Sequence, residues 1–240
     1  MNSSVILNAN NTNKSNLQDA LKLLAIIVMI FDHIAMVFYP QYDELRLVGR
    51  IALPLFCFFA GYNSSNHIRY EILFWGVVLA IGFYWCFHVV FINLLVGIFL
   101  GKILLLWLKK YKSFSHIYIA WIILSLILLI PSSHSFESST LPILFMLTGW
   151  LKKTKQHSNI FLAVNFILFY FCIVKIWPNF EFGWKMLAII SEFVLTFLAL
   201  NMNFTNRFII DCRILSRNLL TIYVGHLLLI FLIFIALYRL

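Results

Sequence analysis

Apolar residues run along this chain in long blocks separated by short polar turns. The blocks fall at roughly 22–39, 46–62, 70–83, 85–107, 115–131, 140–151, 160–177, 184–200 and 218–238. About 20 apolar residues in a helix cross a bilayer core, so each block reads as a membrane-spanning helix. The blocks at 70–83 and 140–151 are short and are expected to be tilted, broken or re-entrant. The longest polar connection, 201–217, is too short for a soluble domain. The pattern therefore predicts an all-α, polytopic integral membrane helical bundle of about nine transmembrane helices, with eight to ten allowed. Residues 1–16 read as a polar, Asn-rich, disordered tail. Residues 17–240 form one transmembrane domain.

Composition sharpens this picture. Of 240 residues, 62% are hydrophobic and only 11% charged. Soluble domains carry roughly 45–50% apolar and about 25% charged residues. Lys14 and Lys22 precede the first apolar block as in a signal peptide, but no small-residue cleavage site follows, so a retained anchor is expected. Cys57, Cys86, Cys172 and Cys212 show no CxxC spacing and read as packing residues.

The net charge of +9 lies in short loops and is a topology signal, not a nucleic-acid footprint. With the N-terminus cytoplasmic, the inner side receives Lys14, Lys22, Arg69, Lys109, Lys110, Lys112, Lys152, Lys153, Lys155, Arg207, Arg213 and Arg217. The outer side keeps Arg46, Lys175, Lys185 and Arg239, diluted by Asp43, Glu44 and Glu181. The expectation is a multi-pass protein of the cell's inner (cytoplasmic) membrane, N-terminus inside and C-terminus outside.

Ionisable groups inside apolar blocks mark function. Asp32 and His33 interrupt the first block, and Arg50 opens the second. Lys22 and His33 are eleven residues apart, about three helical turns, so they share one face about 16 Å apart along the axis. Lys22 then sits at the cytoplasmic mouth and His33 near mid-bilayer. That suits a ligand with an anionic head and a long inward reach. His33 is the natural general base. Asp32 points a quarter-turn away and pairs with Arg50, or meets His33 through a neighbouring helix or water. A plain helix-locking Asp–Arg pair is the alternative. Pro54 kinks the second block, and Gly49 and Gly61 permit close approach. Tyr223 and His226, three apart in the last block, lie on one face and are candidates to line the same polar cavity, or to serve only packing. His88, Asn93, Asn165 and Glu192 receive no role. No metal-ligand spacing, P-loop, GxGxxG or HExxH is present in the sequence.

LKLLAIIVMIFDHIAMVFYP at 21–40 and LRLVGRIALPLFCFFAGY at 45–62 closely resemble the TraX family, conjugation-associated membrane proteins known as pilin acetylases. LSRNLLTIYVGHLLL at 215–229 extends the likeness. The same landmarks resemble the broader transmembrane acyltransferases of sugars and glycans, which place a basic residue and a His eleven positions apart in the first helix. Here Lys22 stands where Arg is commoner.

The resemblance implies acetyl-CoA as donor and a membrane-embedded acyltransferase acting on the N-terminal amine of a pilin-like protein. His33 and Asp32 would be the catalytic pair. Lys22, Arg50, Tyr223 and His226 would bind substrate or donor, with no metal. Three other readings stand beside it: acetylation of a surface glycan, a proton-coupled transporter, and a non-catalytic subunit of a conjugation or secretion apparatus. Expected partners are membrane lipid and the acceptor, with no nucleic acid.

Overall fold

The computed structural model describes residues 16–39, 41–42, 49, 52–88, 93–110, 141–154, 213–238 and a few isolated positions between 167 and 202. Among these are seven helices and no strand: α1 (Leu17–Phe38), α2 (Ala52–Tyr62), α3 (Tyr70–Phe87), α4 (Leu94–Lys110), α5 (Leu141–Thr154), α6 (Arg213–Arg217) and α7 (Leu219–Tyr238). Three of them, α1, α3 and α7, are long and apolar enough to cross a membrane. The chain is thus a helical membrane protein. The blocks at 115–131, 160–177 and 184–200, and the tail 1–15, lie wholly or almost wholly outside the described residues.

Local chemistry explains where the helices start and stop. Asn16 caps α1: its side chain accepts from the Asp19 backbone N–H at 3.0 Å, and Asp19 Oδ2 accepts from Asn16 N at 3.3 Å. This reciprocal box satisfies two otherwise orphan donors. The expected boundary between residues 83 and 85 is corrected. Helix α3 continues unbroken to Phe87, and His88 closes it in the left-handed region with φ 56°. Helix α4 then starts at Leu94 rather than near 85, because Asn93 accepts from Leu95 N at 3.0 Å. The Asn93 amide also donates to the Gly76 carbonyl at 2.8 Å. Asn93, given no role from sequence, is a buried clamp that ties the head of α4 to the middle of α3.

Packing follows from small residues. Helices α2 and α5 cross so closely that a Cβ on Gly61 would strike the Met146 carbonyl, and one on Gly149 the Phe58 carbonyl. Lipid tails are as apolar as Leu, so close backbone approach carries helix association in a bilayer. The core gathers Leu55, Phe58, Leu105, Leu144, Phe145 and Leu147 between α2, α4 and α5. Helix α7 packs on α1 and α3, closing the other side. Cys57 and Cys86 are buried core thiols, as the packing reading expects. The outer faces of α3 and α7 expose Phe74, Ile81, Trp85, Leu229, Leu232 and Leu237, a surface suited to lipid.

Candidate functional site

Helices α1 and α7 meet at two histidines. His33 Nδ1 lies 2.8 Å from His226 Nε2, across 193 residues of sequence. The rings stack with centroids 5.0 Å apart and planes 23° apart. The Tyr223 ring stands edge-on to both, 5.9 Å from His33 and 5.7 Å from His226. His33 is 3% exposed and Tyr223 5%.

The hydrogen bonds assign the tautomers. His226 Nδ1 lies 2.9 Å from the Ile222 carbonyl oxygen, one turn back on α7. A carbonyl only accepts, so His226 Nδ1 carries the proton and its Nε2 the lone pair. With both rings neutral, His33 Nδ1–H donates to that lone pair. His33 Nε2 is then the basic nitrogen. A proton taken there can be shared along the pair, which spreads the charge of the imidazolium over two rings.

Asp32 is buried beside this pair, 6% exposed. Its side chain packs so tightly on Gly49 that a Cβ there would collide with Asp32 Cβ and Cγ. Gly49 is thus the residue that lets the second block reach the carboxylate. Arg50, the expected partner of Asp32, lies outside the described residues. A recess of about 20 Å³ borders Asp32, His33, Gly49, Phe56, Leu94 and Tyr223, room for about one water-sized group.

Phe56, Leu94 and Tyr223 also line a much larger cavity of about 760 Å³. This is the size of a pocket that takes an organic ligand. Its inner wall is aromatic and aliphatic, with Phe59, Trp75, Ile98 and Leu228. Its outer rim is cationic and polar, with Lys22, Arg69, Lys102, Arg217, Ser64 and Asn218. Two rim contacts explain local order. Arg69 and Glu71 pair at 2.8 Å with both side chains mostly exposed, a bond of little energy in water. Ser216 donates to Asp19 Oδ1, joining α6 to the head of α1.

Lys22 stands half-buried on this rim with its ammonium 5.8 Å from the centre of the Phe59 ring. Lys22 lines the large cavity and His33 the small recess, and the two share Phe56, Leu94 and Tyr223 in their walls. Tyr223 and His226 join His33 directly. Three of the six expected site residues, His33, Tyr223 and His226, are brought together, and Lys22 shares with Tyr223 the lining of the large cavity. Asp32 adjoins them through the recess. The sequence reading does not single out Lys102, a cation inside an apolar block that reaches the rim from α4. Its signal is its spacing of seven from Lys109, which puts both on one helix face. No group of three or more potential metal ligands occurs among the described residues.

Comparison with known proteins bears on this site. The family profile described as TraX protein matches residues 17–234. The uncharacterized protein RP591 of Rickettsia prowazekii (strain Madrid E) is 30% identical over 94% of this chain and 95% of its own. The probable fimbrial assembly protein FimC, serogroup H1, of Dichelobacter nodosus is 45% identical over 67 residues, 24% of this chain and 28% of that one. Protein TraX of Escherichia coli is 30% identical over 73 residues, 28% of this chain and 29% of its own. The last two matches thus span under a third of either partner. No solved structure matches.

Proposed function

The chain belongs to the TraX family, and on that premise we propose that it is a membrane-embedded acyltransferase. It moves an acetyl group from acetyl-CoA to the N-terminal amine of a pilin-like protein. The observation that carries this reading is the hydrogen-bonded His33–His226 pair in ring contact with Tyr223, a residue that also lines a large cavity with Lys22, Arg69, Lys102 and Arg217.

In this reaction His33 Nε2 takes a proton from the attacking amine. The nitrogen bonds to the thioester carbonyl carbon, the C–S bond breaks, and the CoA thiolate leaves and is protonated. His226 shares the charge that His33 gains. Asp32, with Arg50, holds charge beside the carbonyl. Tyr223 fixes the histidine rings, and Lys22 meets the donor's phosphates at the rim. The donor enters from the cytoplasm, which fits the gathering of Lys22, Arg69, Lys102 and Arg217 at one end. The N-terminus is then cytoplasmic, the C-terminus external, and the membrane the bacterial inner one. The fimbrial assembly name of the Dichelobacter relative supports a filament subunit as acceptor.

The test is to incubate purified protein in lipid with labelled acetyl-CoA and a pilin-like acceptor, then weigh the acceptor. The reading expects a mass increase of one labelled acetyl group on the N-terminal amine, on the order of one group per chain. Label in a glycan fraction alone would replace the acceptor. Ion uptake into vesicles without any transfer would replace the function.

A further inference from the structure

Lys102 from the middle of α4 and Lys109 from its last turn both reach the 63–69 turn. Lys102 Nζ donates to Ser64 Oγ at 3.0 Å and to the Ser65 carbonyl at 2.5 Å. Lys109 Nζ donates to the Ser64 carbonyl and to Asn66 Oδ1, both at 3.2 Å. Lys153 of α5 lies close enough to repel both charges. Every acceptor in these bonds is a neutral oxygen. Among the described residues the ion pair is Arg69–Glu71, and no carboxylate pairs with any of the three lysines. Like charges held together at the edge of a low-dielectric phase repel more strongly than in water. Neutral oxygens orient an ammonium but do not cancel its charge.

We propose that Lys102, Lys109 and Lys153 form a subsite for the phosphate groups of the donor, deeper in charge than the Lys22 side of the rim. This rests on the acyl-transfer reading above, and it adds residues to it on a different helix pair. The geometry runs in one direction. Lys102 lines the large cavity together with Tyr223, whose ring contacts His33. A thioester donor has its acyl group at one end of a flexible arm and its phosphates at the other. Seating the phosphates on α4 and α5 leaves the arm to lie along the apolar wall toward the histidines. The serines act as a preset cradle. They hold Lys102 outstretched before the ligand arrives, which lowers the side-chain entropy lost on binding.

Phosphate esters also occur on anionic lipid headgroups, and the experiment separates the two sources. Full-length protein in zwitterionic nanodiscs is titrated with CoA, 3′-dephospho-CoA and pantetheine by calorimetry. The expected order of affinity is CoA, then dephospho-CoA, then pantetheine. Lys102→Gln, which removes the charge but keeps a polar donor, should weaken CoA binding about tenfold or more, as loss of a charge-assisted bond does. Lys102→Arg should restore it, and pantetheine binding should not change in either. Anionic lipid in the disc should compete only weakly. The subsite is overturned if Lys102→Gln and Lys153→Gln bind CoA like the parent, or if they lose only retention of anionic lipid. The underlying reading fails separately: loss of CoA affinity in Lys102→Gln with no acetyl transfer by the parent keeps the subsite and removes the reaction.

Discussion

The cationic rim of the large cavity and the histidine recess beside it are built on opposite principles. At the rim, Lys102 and Lys109 are half-buried, strongly charged and oriented by neutral oxygens from a turn. In the recess, His33 and Tyr223 are nearly sealed, and His33 meets His226 in a hydrogen-bonded pair that is neutral until it takes a proton. A charge costs much more in the recess than at the rim, so the chain places its lysines at the rim and its histidine pair in the recess. On the proposed acyl-transfer reading, the rim binds the donor and the recess moves the proton. Substitutions at the two ends should therefore separate affinity from rate.

The largest expected effect breaks the recess. His33→Ala should lower acetyl transfer about 10²–10⁴-fold with unchanged protein level in the membrane. Retention of most activity would move the base elsewhere. Next comes Gly49→Ala, which forces a methyl group onto Asp32. Overpacking of this kind costs roughly 1–3 kcal/mol. It should appear as a fall in kcat, and donor affinity should hold, because the rim belongs to the large cavity and not to the recess.

A smaller effect sharpens the role of the histidine pair. His226→Ala removes the acceptor of His33 Nδ1–H, and loss of one such bond is worth about 1 kcal/mol, roughly a fivefold fall in kcat. His226→Gln, which keeps an acceptor, should recover part of it. A packing role alone would give no such recovery. The smallest effect lies at the rim. Lys22→Gln should raise the KM for acetyl-CoA a few-fold, about 0.5–1 kcal/mol for a partly exposed charge, with kcat little changed. An unchanged KM in correctly inserted protein would return Lys22 to the role of a plain topology anchor.

How much of this was legible in the sequence depends on the kind of contact. Helices α1 and α7 follow directly from long apolar blocks, whereas α3, expected at 70–83 as a short and broken or tilted block, is a continuous 18-residue helix. Lys22 and His33 on one face follow from helical repeat alone, as do Tyr223 and His226. The meeting of His33 with His226 does not. Helix α7 is apolar almost all round, so its periodicity says nothing about which neighbour it chooses. The α3–α4 boundary was misplaced for a related reason. Residues 84–87 are apolar and continue the block, and the break is set by the left-handed His88 and the capping amide of Asn93. Lys102 was hidden because a lysine in an apolar block carries no motif, and its cradle at Ser64 and Ser65 lies 38 and 37 residues away. The Asp32–Arg50 pairing rests on the sequence alone, since Arg50 lies outside the described residues.

The most direct measurement crosses the two ends in one experiment. His33→Gln and Lys102→Gln are each assayed for CoA affinity by calorimetry and for acetyl transfer at saturating donor by acceptor mass. The account predicts that His33→Gln binds CoA like the parent and transfers almost nothing. Lys102→Gln should bind CoA about tenfold more weakly and transfer at nearly the parent rate once saturated. Equal losses of affinity and rate in both variants would contradict it, because the rim and the recess would then act as one site and not as a binding end and a chemical end.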